Sequence, residues 1–318
     1  MKTVEIFNYE SMQKFYLSSE VIEDQRPHIG LPGSSTDLRP PFEKITPGFI
    51  PVFNGEDWNI VPDTFWRPNQ VEVNYDAGRK QESYSPLSLS LCSHHFIGYP
   101  TMQMLCNPFL VTQAIDQRVL VINKKLNLIL ELHKAAFSAE HNRTSPDLLS
   151  VASPNTTPSK IYEYKLESES MIYLMRRILD SLVQLTFLLT NHAKFEETKI
   201  ITHGEIGRFV DIELATSDME RIIIGDDADY QKDPTNFLRI FNDLFNSFKH
   251  SLMHDESYLL MCPDIPSITS YQAKRNNHNN EIIYHNHNLY HLMMGFEDNV
   301  LRILSNQKIY KSKKREFE

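Results

Sequence analysis

Cysteine is scarce: Cys92, Cys106 and Cys262 are the only three in 318 residues, and their spacing offers no disulfide framework. Free thiols in a reducing compartment are the expectation. Long apolar runs are also lacking. The longest, within Met171–Leu189, is broken by Arg176, Arg177, Asp180 and Gln184, so no stretch reads as a membrane span. The opening MKTVEIFNYESMQ has no apolar core of signal-peptide length. A cytoplasmic protein without a membrane partner follows as the expectation. A basic excess is missing too. The net charge of −9 and pI near 5.8 exclude a broad polyanion-binding surface. They leave room for a small basic groove.

Metal and cofactor signatures are weak or absent. Cys92-Ser93-His94-His95 with Cys106 is one loose group of ligand types, whereas a structural zinc site shows two close pairs. Asp226, Asp227 and Asp229 follow Gly225 without the spacing of a calcium loop. His278, His285, His287 and His291 catch the eye, and His287 and His291 could share a helix face, but they lack the intervening Glu of a zinc helix. Neither a metal nor a cofactor is expected.

Two halves of different character are present, and they predict an α+β chain. Up to about residue 110 lie most of the prolines and both tryptophans, with short β-like pieces at Thr3–Phe7, Ile50–Phe53, Trp58–Val61 and Val71–Tyr75. Asn54-Gly55 between two of these predicts a hairpin. The expected division is a small loop-rich β module over 1–80, a connecting region over 81–109 and a helical bundle over 110–318. Long helices are expected at Val111–Phe137, Glu167–Asn191, Asp233–His254 and Leu289–Leu304. A Ser-, Pro- and Thr-rich connection over 141–160 reads as mobile. Lys199–Thr202 and Arg221–Ile224 look strand-like, and a hairpin is expected near 266–286.

The helix at Asp233–His254 carries the most information. Asp233-Pro234 reads as its start, and Phe237, Phe241, Leu244 and Phe248 recur at helical spacing, with Leu238, Phe245 and Leu252 beside them. Between these rows Arg239, Asn242, Asn246 and His250 share a face, with Lys249 next to it. The helix before it, apolar around most of its girth, has a polar strip of Tyr173, Arg176, Arg177, Asp180, Ser181 and Gln184. The two polar rows are natural partners. Joined, they form either a reactive site or a hydrogen-bonded lock between helices.

The stretch from Ile6 to Asp63 resembles the N-terminal segment of phage tail-fibre-assembly-like proteins. Tyr9, the turn Leu31-Pro32-Gly33, Thr36, Pro40-Pro41 and the closing VFNGEDWNIVPD with Trp58 and Asp63 carry the resemblance. Residues 110–307 are similar to HEPN-like bacterial helical proteins, through ESESMIYLMRRILDSLVQLTFLL, NFLRIFNDLFNSFKHSLMHDES and HLMMGFEDNVLRIL. That resemblance implies a metal-independent endoribonuclease or RNA-binding effector of defence or toxin systems, working as a homodimer with an RNA substrate and a phage or antitoxin-type protein partner.

Family members that cut RNA carry Arg, four to six residues, then His. Asn246 and His250 match the end of that motif, but Phe245 stands at the Arg position. On this reading His250 is the general acid/base, Lys249 and Arg177 hold phosphate, and Asn246 and Asp180 orient the site. Arg239 and Asn242 lie within reach of substrate. A catalytically silent bundle of the same fold and a tail-assembly-related protein are the alternatives.

Overall fold

Asn54-Gly55 turns the chain as its residue types require. Asn54 Oδ1 accepts the N–H groups of Glu56 and Asp57, both at 2.8 Å, and Gly55 takes a positive φ of 109° that a side chain would resist. The strands on either side, β4 (Phe49–Phe53) and β5 (Trp58–Pro62), pair antiparallel with Phe53 opposite Trp58. The computed structural model describes residues 2–9, 14–24, 26, 30–42, 45, 49–63, 70–78, 96–101, 107–136, 160–225, 236–252, 254, 257, 265–277 and 281–316. It is an α+β protein of two compact units, divided between Gln70 and Val71.

In the first unit, β1 (Thr3–Tyr9) pairs antiparallel with β2 (Tyr16–Glu23) and with the short β3 (Ser35–Thr36). Its core is Ile6, Phe7, Phe53 and Trp58, with Tyr9 and Tyr16 against it. The residues behind the tail-fibre-assembly resemblance do packing work here. Tyr9 lies 5.1 Å from the Phe53 ring, Thr36 is buried opposite Phe7, and Trp58 Nε1–H donates to the Leu38 carbonyl at 2.6 Å.

The second unit contains α1 (Pro108–Ala136), α2 (Lys160–Thr190), α3 (His192–Thr198), α4 (Asp218–Ile224), α5 (Phe237–His250) and α6 (Leu289–Glu316). A three-stranded sheet of order β6-β8-β7 completes it, from β6 (Gln70–Val73), β7 (Ser267–Gln272) and β8 (Ile282–Asn288). The hairpin expected near 266–286 is β7–β8, antiparallel with Tyr271 opposite Tyr284. The predicted strand near Val71–Tyr75 forms, but not within the N-terminal module. Glu72 takes a hydrogen bond from Asn286, and the Tyr75 and Ala77 N–H groups donate to His287 and His291. The second unit therefore begins at Val71, ahead of the expected division at residue 80.

Helix boundaries moved where side-chain caps overrode the expected signals. Asn107 Oδ1 accepts the Phe109 N–H at 3.0 Å, so α1 begins at Pro108 rather than at Val111. α5 begins at Phe237 because Asn236 Oδ1 accepts the Leu238 N–H at 3.0 Å; it ends at His250, where Ser251 turns extended. The expected start at Asp233-Pro234 lies outside the described residues, and Leu252 falls beyond the end of the helix, 81% exposed. Arg221–Ile224 is helical, not a strand. Ser217 and Glu220 form a reciprocal capping box that outweighs the β-branched run Ile222-Ile223-Ile224. Lys199–Thr202 likewise forms no strand. Of the connection expected over 141–160, Lys160 opens α2; its residues 141–159, the acidic turn at 226–229 and the three cysteines lie outside the described residues.

α2 is central, packing against α1, α4, α5 and α6. Its Met171, Ile172, Met175, Ile178, Leu179, Leu182 and Val183 are fully buried, as are Leu292, Met293, Phe296 and Val300 of α6. Helix α6 approaches its neighbours most closely at Gly295. A Cβ there would lie 2.5 Å from the Phe237 ring and 2.6 Å from that of Tyr75. Gly295→Ala should therefore destabilise by about 1–3 kcal/mol through overpacking, more than the roughly 1 kcal/mol that helix propensity returns. A lower urea midpoint is the expected reading; a raised one would show that the two rings move aside freely.

Candidate functional site

α2 and α5 run antiparallel, and the two predicted polar rows meet between them. Arg176 Nε donates to both oxygens of Asp180 at 3.0 and 3.2 Å, and its NH1 donates to Asn242 Oδ1 at 2.6 Å. Asp180 Oδ1 also accepts the Ile206 N–H at 2.9 Å. The guanidinium lies 5.1 Å from the centre of the Phe245 ring. Gly207 closes the site: a Cβ there would be 2.9 Å from Asn242 Oδ1. Arg176, Asp180 and Asn242 are all at least nine-tenths buried. Burial pushes the Asp180 carboxyl above the ordinary range, only partly offset by Arg176 and the Ile206 N–H. The group is sealed and mutually satisfied.

The other predicted residues fall outside it. Arg177 is exposed, so its neighbour Arg176 makes the contacts expected of this strip. Arg239 donates to the Val210 carbonyl at 3.0 and 3.3 Å and anchors a loop rather than a ligand. Asn246 is half-buried, and Lys249 and His250 are exposed in the last turn of α5. Arg176 faces Asn242 and Tyr173 faces Phe245, a register that puts His250 roughly 13 Å from Arg177 along the helix axes at 1.5 Å per residue. The structure therefore joins Asp180 to Asn242 and leaves His250, Lys249 and Arg177 apart from them. Within one chain the predicted residues do not form one compact cluster.

Two further buried polar groups lie outside the predicted site. Lys165 of α2 is 1% exposed; its Nζ donates to the His254 carbonyl at 3.1 Å and to Ser257 Oγ at 3.3 Å, with Glu169 at 3.2 Å. Its i,i+4 spacing to Glu169 was the available signal. On β8, His285 and His287 are buried on one face and hydrogen-bond to each other at 3.1 Å. Burial lowers the His285 imidazole to about 4 and His287 well below its ordinary value. The i,i+2 spacing was visible, but its strand context was needed to put both rings on one face.

A cavity of about 760 Å³ lies at the start of α1, lined by Phe96, Tyr99, Phe109 and Asp116 among others. Asp116 Oδ1 is buried without a hydrogen-bond partner, and burial raises its carboxyl pKa. Among the described residues no group of three or more His, Cys, Asp or Glu is placed to hold a metal ion. The Cys92–His95 and Cys106 group lies outside them. Also among the described residues, no helix is long and apolar enough to cross a membrane.

Family models, curated proteins and solved structures were compared with the chain, and none matches.

Proposed function

We propose that the protein is a prophage-associated defence or toxin-type effector that engages RNA on the outer seam of α2 and α5. One observation carries this reading: the polar stripe splits in two. Its inner part, Asp180, Arg176 and Asn242, is buried and saturated, so it serves as a lock between helices. Its outer part presents Arg177, Lys249 and His250 to solvent, with the 54%-exposed ring of Tyr173 beside Phe245 between them. Cations spread along a seam with aromatic faces suit a single strand tracked over several nucleotides. They do not suit bond cleavage at one phosphate, which needs a base and a cation around the same atoms. The resemblance of α2, α5 and α6 to HEPN-like proteins supports RNA as the ligand and a homodimer as the assembly. The N-terminal resemblance supports a phage component as trigger or partner.

Cells expressing wild type or His250→Ala test this under phage infection with total RNA followed. Restriction by both proteins, with RNA left intact, is the expected result. Restriction and RNA breakage that both vanish in a soluble His250→Ala protein would overturn it in favour of a metal-independent endoribonuclease centred on His250. No restriction by either protein would remove the defence reading itself.

A further inference from the structure

Arg118 and Arg177 lie on two helices that pack together. The Lys125–Glu167 ion pair and the contact of the His133 and Tyr164 rings at 5.6 Å fix α1 and α2 as antiparallel neighbours. Two turns back from Lys125 on α1 is Arg118, and the two contacts put the matching level of α2 between Leu174 and Leu179, a span that includes Arg177. Arg118 is half-buried there, and its guanidinium is depressed first by burial and then by the charge of Arg177. Among the described residues neither guanidinium has a hydrogen bond or an ion pair.

Among the described residues the nearby carboxylates are directed elsewhere. Glu167 is held by Lys125 and Asp180 by Arg176, while Asp116 faces the cavity at the start of α1. A like-charge pair partly removed from water is unfavourable by itself. Had the fold needed a cation here for stability, a carboxylate at an adjoining position would have relieved the repulsion. The planar forks instead leave their donors for an external acceptor, and paired guanidinium groups match phosphate oxygens. Tyr173, one turn before Arg177 on α2, adds a largely exposed ring backed by Phe245 at 6.3 Å. Phe245 in turn rests on the buried Arg176 guanidinium at 5.1 Å, so this aromatic ledge is fixed from beneath.

We infer that Arg118 and Arg177 form a cradle for one phosphodiester of a single-stranded RNA, with Tyr173 stacking on the adjoining base. This rests on the RNA-engaging reading above and names its anchoring site. A single strand is required because a base must be unstacked to lie on Tyr173. With a net charge of −9, the protein has no broad field to hold RNA, so contacts at this cradle carry a large share of the affinity.

The test is fluorescence anisotropy of the full chain with a labelled, mixed-sequence single-stranded oligoribonucleotide over a series of salt concentrations. Arg118→Gln with Arg177→Gln keeps most of the aliphatic packing and removes both charges. The expected result is at least a tenfold loss at low salt, with the slope of log affinity against log salt reduced by about 0.7 for each phosphate no longer neutralised. Tyr173→Ala should weaken binding about tenfold with the slope unchanged, since stacking releases no counterions. Arg118→Lys with Arg177→Lys should restore the slope but not the full affinity. Wild-type binding unaltered by the Gln and Ala changes would overturn the cradle alone and move the RNA elsewhere. A wild-type protein that fails to bind at any salt concentration would overturn the RNA reading with it.

Discussion

Arg176→Ala lowers the unfolding free energy by about 3–5 kcal/mol, the range expected when one partner of a buried ion pair is removed and the other is left behind. The residue left behind is Asp180, 7% exposed, whose carboxyl already lies above its ordinary range because burial outweighs its partners. Without Arg176 that carboxylate keeps only the Ile206 N–H, and Asn242 loses its strongest donor. A second substitution, Asp180→Asn, should then return on the order of 2 kcal/mol, because a neutral amide can still accept the Ile206 hydrogen bond and no charge stays buried. The double variant would thus be more stable than the single one.

The pH dependence has a definite sign. A carboxyl whose folded pKa is raised holds its proton more tightly when folded, so its contribution falls as pH rises from the ordinary carboxyl value through the folded one. Removing Arg176 raises the folded value further. The deficit of Arg176→Ala should be largest at neutral pH and shrink in acid, as read from urea midpoints across pH. A deficit independent of pH would mean that the loss comes from packing around the guanidinium rather than from an unpaired charge.

The apolar rows of α5 identified Phe237, Leu238, Phe241 and Leu244 as core, and all four are at most 2% exposed. The pairing of the α2 strip with the Asn242 row was legible as well, because a helix this apolar has to satisfy its few polar groups against another element. The choice between Arg176 and Arg177 was not legible. Adjacent residues differ by about 100° around a helix, and both border the same strip. What decides it is the Ile206 N–H and the close pass of Gly207, which come from a 3₁₀ turn further along the chain. The place of β6 was hidden for a related reason. Its neighbours on β8 lie more than two hundred residues away, and no local pattern in 70–78 reports them. The capping box Ser217-x-x-Glu220 was present in the sequence, yet the isoleucine run behind it reads as a strand until the cap is given more weight.

Acid should unfold this protein through its two buried histidines. The tautomers follow from the donors around them. The Tyr75 N–H donates to Nδ1 of His287 at 3.0 Å, so that nitrogen carries no proton and the neutral ring bears its hydrogen on Nε2. Nε2–H of His287 then donates to Nδ1 of His285, and Nε2–H of His285 donates to Gln272 Oε1, each at 3.1 Å. The chain from Tyr75 through both rings to Gln272 runs in one direction, with every acceptor used. A proton added to either ring puts one N–H against another, in a site closed by burial.

Burial therefore holds His285 down at about 4 against 6.5, its ordinary value, and the neighbouring ring adds to the same effect on His287. A histidine with a depressed folded pKa contributes stability that is present above its unfolded value and lost as pH falls toward the folded one. The window is about pH 6.5 down to 4, and for His285 alone the loss is about 3 kcal/mol, from the linkage of pKa to free energy.

The variant that isolates this effect is His285→Gln with His287→Gln. Glutamine can accept through Oε1 and donate through Nε2 in the same direction as each ring, but it does not titrate. Urea midpoints of wild type should fall steeply between pH 6.5 and 4, while those of the double variant fall only as far as the remaining groups demand. Parallel curves would show that the histidines open to water before they protonate, and that the relay holds β6 to β8 without setting the acid limit of the fold.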